Sequence, residues 1–130
     1  MEPFSEEIAS TLAAFGEKDL LRALGDWLGP TTLPSPYGMG DDCAVRGEGE
    51  AAESLMTTDS VVLGRHFEAD TLPELAGAKL LKRNLSDIAA MGGQPTRAVL
   101  AGFLPRRVRL DWLEAFCRGL ARCAREYQVQ

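Results

Sequence analysis

The amino-acid sequence predicts an α/β (α+β) domain in which a mixed β-sheet carries helices packed on one face. Three observations lead there. Apolar residues recur at helical three-and-four spacing in windows near 20–28, 73–91 and 111–127, and short apolar runs of strand length lie between them at 43–45, 55–63 and 97–104. Glycine and proline clusters separate one run from the next. With 130 residues and 45% hydrophobic composition the chain can bury one core, so a single domain over 1–130 is expected.

Taken in order, Ser5 can cap a first short helix with Ile8, Leu12 and Phe15 on one side and Gly16 as its stop. A second helix carries Leu20, Leu21, Leu24, Trp27 and Leu28, and Gly29-Pro30 ends it. Three prolines and two glycines make 30–40 an irregular loop, which delivers Asp41 and Asp42 to the strand at 43–45. The segment 47–50 reads as a turn, and 55–63 as a strand centred on Thr57-Thr58-Asp59. The longest helix runs from Pro73 through Met91 and closes at Gly92-Gly93. Gln94-Pro95 then turns the chain into a strand over 97–104. The last helix opens with Asp111 and Glu114 at capping-box spacing and carries Leu113, Phe116, Cys117, Leu120, Ala124 and Tyr127 on one face. Three or four strands with helices on one side leave a sheet face or edge for a partner.

The formal net charge of −5 argues against nucleic acid or an anionic membrane as a partner, since tracking phosphates directly needs a surplus of Lys and Arg. An acidic protein still binds phosphates when divalent cations stand between its carboxylates and the ligand. Cys43, Cys117 and Cys123 are odd in number and widely spaced, with His66 as the lone histidine, which suits neither a disulfide framework nor a zinc site. Glu2, Glu6 and Glu7 stand where a signal peptide is positively charged, and no apolar run is long enough to span a bilayer. A reduced, soluble, cytoplasmic protein is expected.

Candidate chemistry centres on Asp42 at the end of the Gly-rich loop, Asp59 in the predicted strand and Asp87 on the long helix. Hard cations such as Mg²⁺ bind through a few carboxylates and keep waters and substrate phosphates in their other positions; Thr57 and Thr58 would add oxygens beside Asp59. Each acid has a plainer alternative. Asp41-Asp42 can cap a turn. Asp59 is disfavoured inside a strand and needs compensation, which a bulge or a strand end would supply as well as a metal. On the long helix, Asn84 and Asp87 fall on the flank of the apolar face, where polar groups need partners, and Asp87 can pair with Arg83 one turn away. His66 is either a surface residue or a phosphate contact, with Arg65 as the alternative contact. Cys43, beside two carboxylates, reads as buried packing rather than a reactive thiol. The chain has no G-x-x-x-x-G-K-[ST] loop, no complete dinucleotide fingerprint and no nucleophile elbow. A nucleotide bound here has to be held through metal.

Four segments together carry a resemblance: Gly40-Asp41-Asp42-Cys43-Ala44-Val45, Thr57-Thr58-Asp59, Gly64-Arg65-His66-Phe67 and Asn84-Leu85-Ser86-Asp87-Ile88-Ala89-Ala90-Met91-Gly92. In order and approximate spacing they resemble thiamine-monophosphate kinases, from about Gly40 to Gln130. The Gly-Asp-Asp and Thr-Asp segments also look like those of aminoimidazole ribonucleotide synthetase, selenophosphate synthetase and a hydrogenase maturation protein. The His-Phe and Asn-Leu-Ser-Asp wording favours the thiamine kinases.

The resemblance implies an enzyme that transfers the γ-phosphoryl of ATP to thiamine monophosphate, with a fold of two α/β domains and a homodimer whose N-terminal sheets join in a barrel. It implies Asp42, Thr57, Thr58, Asp59 and Asp87 as Mg²⁺ ligands, His66 as a contact to thiamine monophosphate and Gly119 as a place where nucleotide approaches the backbone. Close helix packing is the plainer reading of Gly119. The segment that the family places after Gln130 and its C-terminal domain are not in this sequence, so 1–130 is expected to be the N-terminal ATP- and Mg²⁺-binding portion. The alternatives are a sister enzyme of the same superfamily or a non-catalytic dimerisation domain.

Overall fold

The computed structural model describes residues 3–29, 41–46 and 53–130, which divide into two units, Met1–Ser54 and Leu55–Gln130. The loop expected at 30–40 and the turn expected at 47–50 lie outside the described residues.

In the first unit, the short helix expected after Ser5 is replaced by two 3₁₀ turns, Ile8–Ser10 and Leu12–Ala14. Thr11 breaks the run. Its backbone is extended, and its hydroxyl donates to the Ile8 carbonyl at 2.8 Å while accepting from the Ala13 N–H, so the side chain competes for groups that a continuous helix would use. The predicted second helix forms as α1, Glu17–Leu28, with Glu17 and Asp19 in its first turn, where they complement the helix dipole. It ends at Gly29, whose φ of +57° suits glycine. Strand β1 spans Ala44–Arg46, one residue later than expected, with Cys43 and Val45 buried. With β2, Ser54–Met56, it forms a two-stranded sheet.

In the second unit, two predicted strands are corrected. The run 55–63 stays in the sheet only to Met56; beyond it, Leu63 makes a single bridge to Phe67. At Asp59 the backbone N–H donates to the Asn84 side chain instead of to a neighbouring strand. The run 97–104 joins no sheet among the described residues. Its start is tied by Ala98 N–H to the Gln130 carbonyl and Gln130 N–H to the Thr96 carbonyl, and its apolar side chains stand in solvent, Val99 at 98% and Phe103 at 100% exposure. A strand needs a ladder partner, which local pattern cannot supply.

The long helix forms as α2, Pro73–Ala90, opening on Pro73, whose fixed φ and missing N–H suit a first helical position. Gly92, at φ +69°, turns the chain, and the N–H groups of Met91, Gly92 and Gly93 bond to the last carbonyls of α2. Helix α3 spans Leu110–Glu126. Its capping box is corrected: Arg109 is the N-cap and makes no side-chain cap bond, while Asp111 sits inside the first turn, paired with Arg109 at 3.0 Å and accepting from Trp112 N–H at 2.8 Å.

Helices α2 and α3 pack closely because each carries a glycine at the crossing. A Cβ on Gly119 would collide with the Glu74 carbonyl, and one on Gly77 with the Phe116 carbonyl. Beside this crossing Leu81, Cys123 and Val129 form the core, flanked by Ala78, Leu85, Leu120 and Ala124. The fold class thus stands in coarser form, as three α-helices and a small two-stranded sheet among the described residues. No helix among the described residues is long and apolar enough to cross a membrane.

Candidate functional site

The polar groups that the sequence singles out meet where the chain leaves β2 and runs along α2. Thr57 is half-buried and its hydroxyl donates to Asp87 Oδ2 at 2.7 Å. Two residues on, Asp59 is fastened through its backbone: its N–H donates to Asn84 Oδ1 at 2.8 Å, and the Asn84 amide donates to the carbonyls of Leu80 at 3.0 Å and Asp59 at 3.4 Å. Asn84 and Asp87 stand one turn apart on α2, so they address the same side of the helix and receive residues 57 and 59 in register. Asp59 Oδ1 accepts from the Ser60 N–H at 2.7 Å. Its Oδ2 lies 2.6 Å from Arg83 Nε.

That last contact corrects the helical pair Arg83–Asp87 considered from sequence: Arg83 is committed to Asp59, and Asp87 to Thr57. The Arg83 guanidinium holds the Asp59 carboxyl below its ordinary range; partial burial opposes this and the Ser60 N–H adds to it. The contact is an ion pair without an aligned hydrogen bond: Nε is buried and, although close to Asp59, finds no acceptor at a hydrogen-bonding angle among the described residues.

His66 sits in a turn built by Gly64 at φ +76°, with Gly64 N–H bonded to the Phe67 carbonyl and His66 N–H to the Val62 carbonyl. Its Nδ1 accepts from the Val62 N–H at 3.0 Å, and Lys79 Nζ donates to its carbonyl. Phe67 stacks on Trp112, and Trp112 on Phe116, with centroids 6.0 and 5.5 Å apart, which anchors the turn to α3.

The structure therefore joins Thr57 to Asp87 and the Asp59 backbone to Asn84 along one side of α2, and leaves Thr58 exposed. Asp42 belongs to the first unit; it is exposed, and its N–H bonds to Asp41 Oδ1 at 2.9 Å. Gly119 is buried at the helix crossing, where its missing side chain admits the backbone of α2. Among the described residues no three His, Cys, Asp or Glu side chains gather in metal-binding range. Sequence reasoning did not assign Asn84 its part in the cluster. The available signal was its position with Asp87 on the flank of an otherwise apolar face.

Residues 40–130 match the family described as AIR synthase related protein, N-terminal domain, and the chain belongs to that family. Within it, the chain is similar to the thiamine-monophosphate kinase of Escherichia coli (strain K12), at 38% identity over 117 residues covering 90% of this chain and 36% of the relative. It is also similar to that of Corynebacterium glutamicum, at 32% over 130 residues, covering 98% of this chain and 38% of the relative. A solved structure of AaThiL complexed with AMPPCP and TMP superposes with a TM-score of 0.79 at 29% identity, covering 92% of this chain and 36% of that one. The chain spans between 36% and 38% of the length of these proteins.

Proposed function

We propose that this chain is the Mg²⁺- and nucleotide-binding N-terminal portion of a thiamine-monophosphate kinase, which transfers the γ-phosphoryl of ATP to thiamine monophosphate and so makes thiamine diphosphate. One observation carries the reading: the Thr57–Asp87 hydrogen bond joins the Thr-Thr-Asp and Asn-Leu-Ser-Asp segments, distant in sequence, into one oxygen-rich cluster. The similar thiamine-monophosphate kinases and the AaThiL complex with AMPPCP and TMP support it.

The donor set fits a hard cation. The Thr57 hydroxyl and the carboxylates of Asp59 and Asp87 are oxygen donors without a thiol or imidazole among them, the chemistry Mg²⁺ selects. In this reading Thr58 and Asp42 complete the ligands, Asp42 on the strength of its motif within the matched residues 40–130. Bound there, Mg²⁺ supplies the neutralising charge that lets two anionic phosphates approach. Asn84 holds the Asp59 backbone in place, and Thr57 orients the Asp87 carboxylate, so the ligands are positioned before the nucleotide arrives. His66 is the proposed contact to thiamine monophosphate. For Gly119 the helix crossing accounts for the glycine, and any approach of nucleotide rests on the resemblance alone.

Homodimerisation through strand pairing belongs to the same reading; the exposed apolar side chains of segment 97–104 support it, as a surface that a second copy could cover. So does a cytoplasmic setting, in keeping with three free cysteines.

Thermal denaturation with Mg²⁺ and a non-hydrolysable ATP analogue tests the proposal. Together they should raise the melting temperature by several degrees, as ligand at a hundred times its Kd stabilises by about 2.7 kcal/mol. Asp87→Asn should abolish most of that rise. An equal rise in EDTA would overturn the metal-mediated reading.

A further inference from the structure

Arg83 immediately precedes the Asn84–Asp87 segment, yet the functional reading above assigns it no part. Its guanidinium nevertheless occupies the most strategic place in the cluster. Of the two Asp59 carboxylate oxygens, Oδ1 accepts from the Ser60 N–H at 2.7 Å, and Oδ2 faces Arg83 Nε at 2.6 Å. A cation that reaches this carboxylate through Oδ2 meets Arg83 first, and two positive groups cannot share that edge without strong repulsion.

We propose that Arg83 is a built-in competitor for the divalent cation at Asp59: it neutralises the carboxylate while the site holds no metal and has to withdraw for a metal to bind through Oδ2. The inference rests on the metal-binding reading above. Three features make Arg83 displaceable. Its Nε makes no aligned hydrogen bond, so the contact given up on departure is a single ion pair at 2.6 Å. The Arg83 side chain remains 36% exposed and that of Asp59 26%, so the guanidinium can move directly into water. The Asp59 backbone is held independently by Asn84, through both its N–H and its carbonyl, and Oδ1 is held by the Ser60 N–H, so Asp59 has tethers besides Arg83.

Mn²⁺ binding, followed by electron paramagnetic resonance on the 130-residue chain, is the direct test. Arg83→Met keeps the aliphatic stem and removes the competing charge; it should bind Mn²⁺ roughly twofold to fivefold more tightly than the wild type, the range set by a partly exposed ion pair. Arg83→Gln should behave in the same way, and circular dichroism of both variants shows whether the fold is retained. Lys82→Met removes the same charge one residue away, from a side chain that lies over the Tyr127 ring, and should change Mn²⁺ affinity less than about twofold. A second readout is independent of affinity: the metal-free melting temperature of Arg83→Met should fall below that of the wild type, and saturating Mn²⁺ should close the gap. Equal or weaker Mn²⁺ binding by both Arg83 variants, or an equal gain in Lys82→Met, would overturn the proposal. Absence of saturable Mn²⁺ binding in the wild type as well would remove the metal reading itself, and this inference with it.

Discussion

The two units of this chain carry helical apolar stripes of comparable regularity with opposite fates. In the first unit α1 buries no residue, and its stripe is left open at Leu21, Trp27 and Leu28, the last two 69% and 53% exposed. In the second, the stripes of α2 and α3 close on each other, with Leu81 and Cys123 at 5% and 2% exposure. The difference teaches that spacing tells which side of a helix can be buried, while burial needs a second surface close enough to exclude water. Gly77 and Gly119 provide that closeness in the second unit.

The largest expected effect comes from spoiling the crossing. Gly119→Val places a branched side chain where the Glu74 backbone lies, so the helices must separate and uncover the core; a loss of about 4 kcal/mol is expected in urea denaturation. A loss below about 1 kcal/mol would mean that the crossing is not what holds the second unit together.

A matched pair sharpens the comparison. Leu81→Ala should cost about 3 kcal/mol, since a buried leucine leaves a cavity, whereas Leu28→Ala on α1 should cost less than about 0.5 kcal/mol. Equal costs would show that α1 is covered in solution and that the contrast between the units is false.

The smallest effect concerns the start of α3. The Arg109 guanidinium and the Trp112 N–H hold the Asp111 carboxyl down at about 2, from an ordinary value of 3.8. A carboxyl depressed in the folded state stabilises it fully above its unfolded pKa and loses that contribution as pH falls through the folded one. Stability should therefore be insensitive to this group from pH 7 to 5 and decline between about pH 4 and 2. Asp111→Asn should remove that part of the acid dependence when melting is followed across the range. The pair is exposed, so solvent screens it and the change should be slight.

Much of this architecture was legible in the sequence because helical periodicity is local. The spacings of Leu20 to Leu28, of Pro73 to Met91 and of Leu113 to Tyr127 place α1, α2 and α3 within a few residues, and Gly29 and Gly92 mark the ends of the first two. At 55–63 and 97–104 the same local pattern yields less strand than it suggests, since an apolar run becomes a strand only when another backbone accepts its hydrogen bonds. The sequence did flag the weak point: Asp59 required compensation, and Asn84 and Arg83 provide it.

The candidate site divides along the same line. Its candidate residues stand out by type, because Asp59, Asn84 and Asp87 are polar groups that need partners and the four motifs occur in order. Its pairing was not. Arg83 and Asp87 look like natural partners one helical turn apart, yet each turns instead to the chain leaving β2.

By itself, the sequence determined where helices form, which of their faces are apolar and which residues carry oxygen donors, because these depend on neighbours within a few positions. Only the tertiary structure decided that α2 and α3 close through Gly77 and Gly119 while α1 stays open, and that Asp59 is held by Arg83. Those outcomes depend on which distant backbone approaches closely enough to exclude water or share a charge, a matter of packing that local spacing does not encode.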